Sequence, residues 1–418
     1  MIRMWPTAPQ RIELLRCFAM ARKAYNFACN IVKEEKRADI VDLRKRWSAE
    51  PVPGWAAEAR VSMQIQTRAI QDLVNAFKTN EAKRRKGATR PYSLHYRSLR
   101  RSPTEIIHIE KDYEAKASML RFEPIEGPLR RDRAECLVVL GSNLKRVGGI
   151  RLQDSPDIIS RLLAEGRHLK EEAKIKWDKR LNSFHLIYTY EIPRLVDPDP
   201  TFQSKRIVAC DPGCYPFQAW YAPCSGSHGA LLVGGTDELM RRCYDIDRRC
   251  GKIARHQQRG KFHRRRRRRM RKRLNRERSR LRGWVKDAHY DAANTLLASN
   301  DLVLQPRLAV QDLVIATKRN ISNRSARAML TWSHSMFIDR LKSASARYAG
   351  RHVLETTEPG TSKTCTHCGA WKHDLEPRHK TYACARCGLS FDRQMAGARN
   401  NFFAAYGAAV NMGWDGTE

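Results

Sequence analysis

Four cysteines constrain this chain more than any other feature. Cys365, Cys368, Cys384 and Cys387 read C-x2-C-x15-C-x2-C, which is zinc-ribbon spacing. Each C-x2-C pair suits a tight knuckle, so four thiolates can converge tetrahedrally on one structural Zn²⁺. The stretch between the pairs, 369–383, is polar, basic and too small for a core of its own. Metal binding would therefore supply its folding free energy. Disulfides or coincidence are the competing readings, and the spacing favours the metal. Acids flank the module, Glu358 ahead of it and Asp392 behind. Far upstream the hydrophobic run Ile207-Val208-Ala209-Cys210 ends in another acid, Asp211. Carboxylates drawn from distant segments, with a metal-bound insertion ahead of the last, suggest a metal-dependent nuclease site.

Charge points the same way. The 418 residues carry a formal net charge of +35, which repels itself unless it meets a polyanion. Nucleic acid is the obvious candidate and an anionic membrane surface the alternative. No run of eighteen apolar residues and no lipidation signal supports a membrane. The opening Met1-Ile2-Arg3-Met4-Trp5-Pro6 lacks a signal-peptide core, so an intracellular protein is expected. Residues 241–282 alone hold 21 Arg and Lys against 3 acids, with Arg264 to Arg269 unbroken. A solvated face or a localisation signal would be the bland account of such a run. Ile246, Ile253, Leu274 and Leu281 punctuate it among helix formers, which fits better a basic helix, 237–299, lying along a phosphate backbone. The remaining eight of 12 cysteines read as small buried hydrophobes of a reduced protein.

Along the chain, Ile2 to Trp5 alternates as a short strand stopped by Pro6. Spacings of three and four then predict helices over 10–36 and about 56–85. From about 93 to 198, short alternating runs separated by Gly and Pro suit a small antiparallel barrel or sheet, which the first strand would complete. Strands are expected at 205–210, 217–222, 230–233, 302–304 and 353–354. Helices are expected at 326–349 and from Met395 to about Val410.

With these stretches in view, the chain resembles the TnpB and Fanzor proteins, RNA-guided DNA endonucleases of transposable elements and relatives of type V CRISPR effectors. The likeness is carried by Ile2-Arg3-Met4-Trp5-Pro6-Thr7 with Gln10, Ala21-Arg22-Lys23-Ala24-Tyr25-Asn26, Asp211-Pro212-Gly213 with Phe217, and Asp287-Ala288-His289-Tyr290. Leu330-Thr331-Trp332-Ser333-His334, Thr361-Ser362-Lys363-Thr364-Cys365 and Gly397-Ala398-Arg399-Asn400 resemble the Fanzor branch in particular. Two departures stand out. Gln311-Asp312-Leu313 replaces a glutamate usual before Asp-Leu in TnpB proteins, and in Fanzor proteins that acid sits ahead of Thr-Ser-Lys, where Glu358 falls. Gln394 stands where a third acid is usual, two residues after Asp392.

The resemblance implies an α/β multidomain chain. A β-barrel (wedge-like) domain would comprise 1–9 and 93–200, with a helical recognition domain, 10–92, inserted in it. A RuvC (RNase H-like) nuclease core would comprise 205–360 and 392–412, with the zinc ribbon, 361–391, inserted in that. Asp211, Glu358 and Asp392 would be its catalytic acids around two Mg²⁺ ions about 4 Å apart. For Asp392 the pattern suits a helix N-cap at least as well. A guide RNA would read a double-stranded DNA target by base pairing, its phosphates gripped by Arg264, Arg265, Arg266, Arg267, Arg268, Arg269, Arg271, Lys272 and Arg273. No small-molecule substrate and no membrane is expected. Nuclear residence follows if the host is eukaryotic or viral. Gln394, neutral where a charge is wanted, leaves two alternatives: guided DNA binding with weakened or lost cleavage, or a zinc protein that binds nucleic acid without a guide.

Overall fold

The computed structural model describes residues 1–51, 54, 61–86, 94–99, 102–109, 120–125, 134–140, 148–165, 173–189, 206–258, 264–315, 321–356, 361–375 and 379–411. The chain divides into two compact units, Met1–Glu191 and Ile192–Glu418. Among the described residues, no helix is long and apolar enough to cross a membrane.

The first unit is built on a seven-stranded sheet in the order β2-β6-β7-β1-β5-β4-β3, every pairing antiparallel. Its strands are β1 (Ile2–Trp5), β2 (Thr104–Ile109), β3 (Leu120–Pro124), β4 (Ala134–Leu140), β5 (Gly149–Asp154), β6 (Ala173–Asp178) and β7 (Ser183–Tyr188). The first strand lies at the centre, between β5 and β7. Helix α1 (Ala8–Glu35) follows after two residues, and its start is fixed in two directions by one side chain. Gln10 accepts from the Thr7 backbone N–H (2.9 Å) and donates to the Gly149 carbonyl (3.1 Å). Two more helices, α2 (Ile40–Ala49) and α3 (Met63–Arg85), belong to this unit. The helix Ile40–Ala49 was missed from sequence, although Asp39 caps it through the Val41 and Asp42 amides and Leu43 and Trp47 bury its inner stripe. Residues 55–60, expected at the start of the next helix, lie outside the described residues. Glu105 of β2 is buried, and Arg22 of α1 (2.7 Å) and Lys179 neutralise it there. A buried carboxylate needs such partners. Helix α4 (Pro156–Glu165) covers β3, β4 and β5 with Ile159 and Leu162.

The second unit carries a mixed five-stranded sheet, β10-β9-β8-β11-β12. Strands β8 (Ile207–Pro212), β9 (Gln218–Ala222) and β10 (Ser227–Leu231) form an antiparallel meander. Strands β11 (Leu302–Pro306) and β12 (His352–Thr356) run parallel to β8. Such parallel neighbours require helical crossovers, and the chain supplies α5 (Gly235–Gln258), α6 (Arg264–Ser299), α7 (Val310–Val314), α8 (Asn323–Trp332) and α9 (His334–Ser345). The basic segment 237–299, expected as one helix, is two. Helices α5 and α6 face each other across Ile246, Ile253 and Leu274, with Met270 and Leu281 packed alongside. Both halves of the apolar stripe serve one seam, so the spacing looks continuous in sequence. The small hairpin β13 (Thr381–Ala383) and β14 (Ser390–Asp392) leads directly into the last helix, α10 (Arg393–Asn411).

Candidate functional site

Strand β8 has two different faces. Val208 and Cys210 join the core formed with α5, α6, α8 and α9, while Ala209 packs toward Phe402 and Ala405 of α10. Alternation places Asp211 on the α10 side. There the helix offers Gly397, and a Cβ at that position would lie 2.7 Å from Asp211 Oδ2. One turn earlier Gln394 reaches over Gly213, whose own Cβ would meet the Gln394 carboxamide at 2.9 Å. Two glycines therefore let the end of β8 and the start of α10 approach closely, one at the Asp211 carboxylate and one at the Gln394 carboxamide. Asn401 pins the approach by donating to the Cys210 carbonyl (2.9 Å).

The loop after Asp211 is held from the opposite face. Gly213 N–H donates to the Phe217 carbonyl (3.1 Å). Phe217 is fully buried between His289 (ring centroids 5.2 Å) and His334 (5.0 Å), both stacked, with Trp332 at 4.7 Å. Thr236 donates to the Cys214 carbonyl and accepts from Trp332 Nε1 (2.9 Å). Burial pushes His289 down to about 3, helped by the Arg340 guanidinium, whose Nη1 lies 2.7 Å from the His289 Nδ1. Burial likewise pushes His334 down to about 4, with the Gly213 backbone pulling the other way. Both rings are neutral at pH 7.

Two of the three expected acids lie among the described residues. Asp211 occupies the strand end just described. Asp392 is exposed and accepts from the Gln394 (2.9 Å) and Met395 (3.1 Å) amides; it caps α10. Glu358 lies outside the described residues. Its neighbour Glu355 is exposed at the end of β12 and paired with Lys342, which draws its pKa below the usual carboxylate range. Gln311 and Asp312 are exposed on α7.

The four cysteine sulfurs lie within 4.8 Å of one another, with Cys365–Cys387 at 3.7 Å and Cys368–Cys384 at 3.5 Å. Tetrahedral thiolates at about 2.3 Å from a zinc ion would be roughly 3.8 Å apart, so the cluster suits such an ion. The two knuckles are alike. Cys365 N–H donates to Ala370 O (2.8 Å) and Cys384 N–H to Leu389 O (2.9 Å). Each knuckle closes on a left-handed glycine, Gly369 (φ 71°) and Gly388 (φ 70°), a conformation that costs glycine nothing. The glycine following each second cysteine is a sequence signal that the spacing alone does not use. The Cys387 and Arg386 amides lower the Cys384 pKa, while the neighbouring thiols raise that of Cys387. A cation among the four sulfurs would favour the thiolate form of each. Tyr382 floors the module, stacked on Phe391 (5.2 Å) and donating to Ala370 O (2.9 Å).

Asn400 of α10 helps to fasten this module to the Asp211 region. Asn400 donates to the carbonyls of Thr361 (2.7 Å) and Thr364 (2.8 Å), next to Asn401 on the strand. Sequence reasoning assigned no role to Gly397, Asn400, Asn401, His289 or His334. Each acts through a partner tens to hundreds of positions away.

On the basic helix, Arg265, Arg266, Arg268, Arg269, Arg271 and Arg273 are exposed, and Arg267 and Lys272 are half-buried. The side chain of Arg264 lies outside the described residues.

Residues 334–401, which span α9, the cysteine module and the start of α10, match the family model described as the Cas12f1-like TNB domain. TnpB-like protein L79 of Acanthamoeba polyphaga mimivirus is 31% identical over 116 residues, 28% of this chain and 22% of its own. The match thus spans about a fifth of that relative's length. A putative transposase, A625R of Paramecium bursaria Chlorella virus 1, is 24% identical over 424 residues, covering 96% of this chain and 84% of its own. Among solved structures, a chain of a Cas12f1–sgRNA–target DNA complex aligns with a TM-score of 0.52 at 12% identity, over 93% of this chain and 82% of that one. The fold is shared across most of the length.

Proposed function

We propose that this relative of the TnpB-like proteins is an RNA-guided DNA endonuclease that hydrolyses phosphodiester bonds at a RuvC-like site centred on Asp211. The carrying observation is the closure of α10 on β8, with Gly397 leaving room at the Asp211 carboxylate and Gln394 packed over Gly213, two residues further on. The sheet order β10-β9-β8-β11-β12 supports an RNase H-like core, in which the central strand ends at the catalytic acid. The relatives with the TnpB-like name and the guide-bound Cas12f1 neighbour support the guided reading.

Asp211 would hold a divalent ion, Mg²⁺ by the hardness of its oxygen ligand, with Glu358 and the Gln394 carboxamide as the further ligands of a two-ion site. The bound ions would activate water and stabilise the leaving oxygen. The chain's own part is positional. Asn401 and the Phe217–His334 stack hold the Asp211 turn from both faces, so the carboxylate need not reorganise. A glutamine ligates through a neutral oxygen, so the ion beside it is held more weakly than by an aspartate. The cysteine module would take one zinc ion and act structurally. The exposed arginines of α6 would bind guide and target phosphates, and the helices and sheet of the first unit would read a DNA motif beside the target.

The test is cleavage of a guide-matched duplex in Mg²⁺ by the chain purified with its co-expressed RNA. Cutting that disappears in Asp211→Ala supports the reading. Guide-dependent binding without cutting, relieved by Gln394→Asp, would mean that the site is a weakened one. Binding with no discrete RNA would exclude guidance.

A further inference from the structure

The outer face of the first unit's sheet carries a transverse band of polar and aromatic side chains. Residues directly opposite in antiparallel strands share a face. The pairings Lys176–His185, His185–Arg3 and Arg3–Gln153 therefore set four polar side chains in one row across β6, β7, β1 and β5. The next row sets Trp5 against Arg151. The burial pattern of β1 confirms which side this is: Ile2 and Met4 are buried, Arg3 and Trp5 exposed. Trp5 is 38% exposed, an unusual state for so large a ring, and the Arg3 guanidinium lies over it at 3.9 Å. Beside them opens a cavity of about 560 Å³, lined by Arg3, Trp5, Arg11, Arg151 and Asn182 among others. That is within the range of ligand clefts, roughly 300–1,000 Å³. Among the carboxylates on this face, Glu135 is shared between Arg151 (3.6 Å) and Gln153 (3.1 Å). Glu123 pairs with Arg121, and Asp178 accepts from the Arg180 and Leu181 amides. With Arg3, Arg11 and Lys176 also present, positive charge remains in excess. Burial, then Arg3 and Lys176, depress the His185 pKa, which leaves it a neutral hydrogen-bonding group between the cations.

We propose that this face is a docking site for unpaired nucleotides of a single-stranded nucleic acid, with a base stacked on the Trp5–Arg3 pair and the flanking phosphates on Arg151 and Lys176. A ring presented on a sheet takes up an unstacked base, which a duplex keeps inside its own stack. Cations on both sides of the ring match a chain whose charges follow each base. An acidic peptide would use the cations and leave the ring without a partner. The site does not depend on the cleavage reading, because binding there needs no divalent ion.

The basic helices also bind polyanions, so the test must be local. The full chain is irradiated, without Mg²⁺, with a 20-nucleotide RNA containing 5-iodouridine, and cross-linked peptides are mapped. The expected result is a cross-link at Trp5 that falls at least tenfold in Trp5→Ala and persists in Trp5→Tyr, while cross-links within 264–282 are unchanged. Arg3→Gln with Arg151→Gln should weaken the Trp5 cross-link at low salt and make what remains less sensitive to added salt. Absence of the Trp5 cross-link under conditions where the RNA is bound overturns the proposal. So does an equal yield from the same sequence as a duplex, which would make the face a sensor of charge alone. Trp5→Tyr keeps the test valid if the alanine variant fails to fold.

Discussion

A methyl group placed on Gly397 would sit 2.7 Å from Asp211 Oδ2. Alanine is the better helix former by about 1 kcal/mol, and the carboxylate can swing aside. Gly397→Ala should therefore leave the melting temperature near that of the parent while lowering Mg²⁺-dependent cleavage at least a hundredfold. Asp392 gives the opposite discrimination. As the cap of α10, it should tolerate Asn with little change in cutting or stability, whereas Asp392→Ala should cost about 1 kcal/mol, read by urea unfolding. A loss of cleavage in Asp392→Asn at unchanged stability would instead make it a ligand. Asp211 and the four cysteines were legible in the sequence, because an acid ending an apolar strand and a repeated C-x2-C carry their chemistry locally. Gly397, Asn401 and His334 were not. A glycine or asparagine inside a helix acquires meaning only from the Asp211 carboxylate or the Cys210 carbonyl it meets.

At the scale of elements, the cysteine module and the basic hairpin make separate claims. The four converged sulfurs and a floor of little more than Tyr382, Phe391 and Leu375 among the described residues would make a bound metal the main source of stability in 361–391. Metal analysis should find one zinc per chain. Cys365→Ser with Cys368→Ser should abolish it and raise amide exchange across the module, leaving the first unit protected. For α6, replacing the exposed Arg265, Arg266, Arg268 and Arg269 with Ser should flatten the dependence of log K on log salt by up to about 0.9 for every phosphate no longer neutralised. The number of strands in the first unit was only partly visible beforehand. Lys174 and Lys176 make β6 read as polar, although its alternate residues Ala173 and Ile175 are buried. The single helix expected over 237–299 failed for a related reason: arginine and lysine are good helix formers, and nothing in their pattern marks where one helix stops serving the shared seam.

The molecule as a whole should be sensitive to acid. Unfolded histidines bind protons below about pH 6.5, whereas His289 and His334, buried beside Phe217, remain neutral until about pH 3 and 4. The unfolded state thus gains protons first, so stability is full above pH 6.5 and declines as pH falls toward 4. The decline should approach 1.4 kcal/mol per pH unit for each ring, seen as a falling urea midpoint of the second unit, and His334→Phe should halve it. One further feature ties distant parts together. The last strand of the cysteine module runs into the first residue of α10 without a linker, and Asn400 and Asn401 brace both sides of that joint. On the proposed reading the module would be a handle on the Asp211 site, so that scarcity of a purely architectural metal would mute hydrolysis run by a different one.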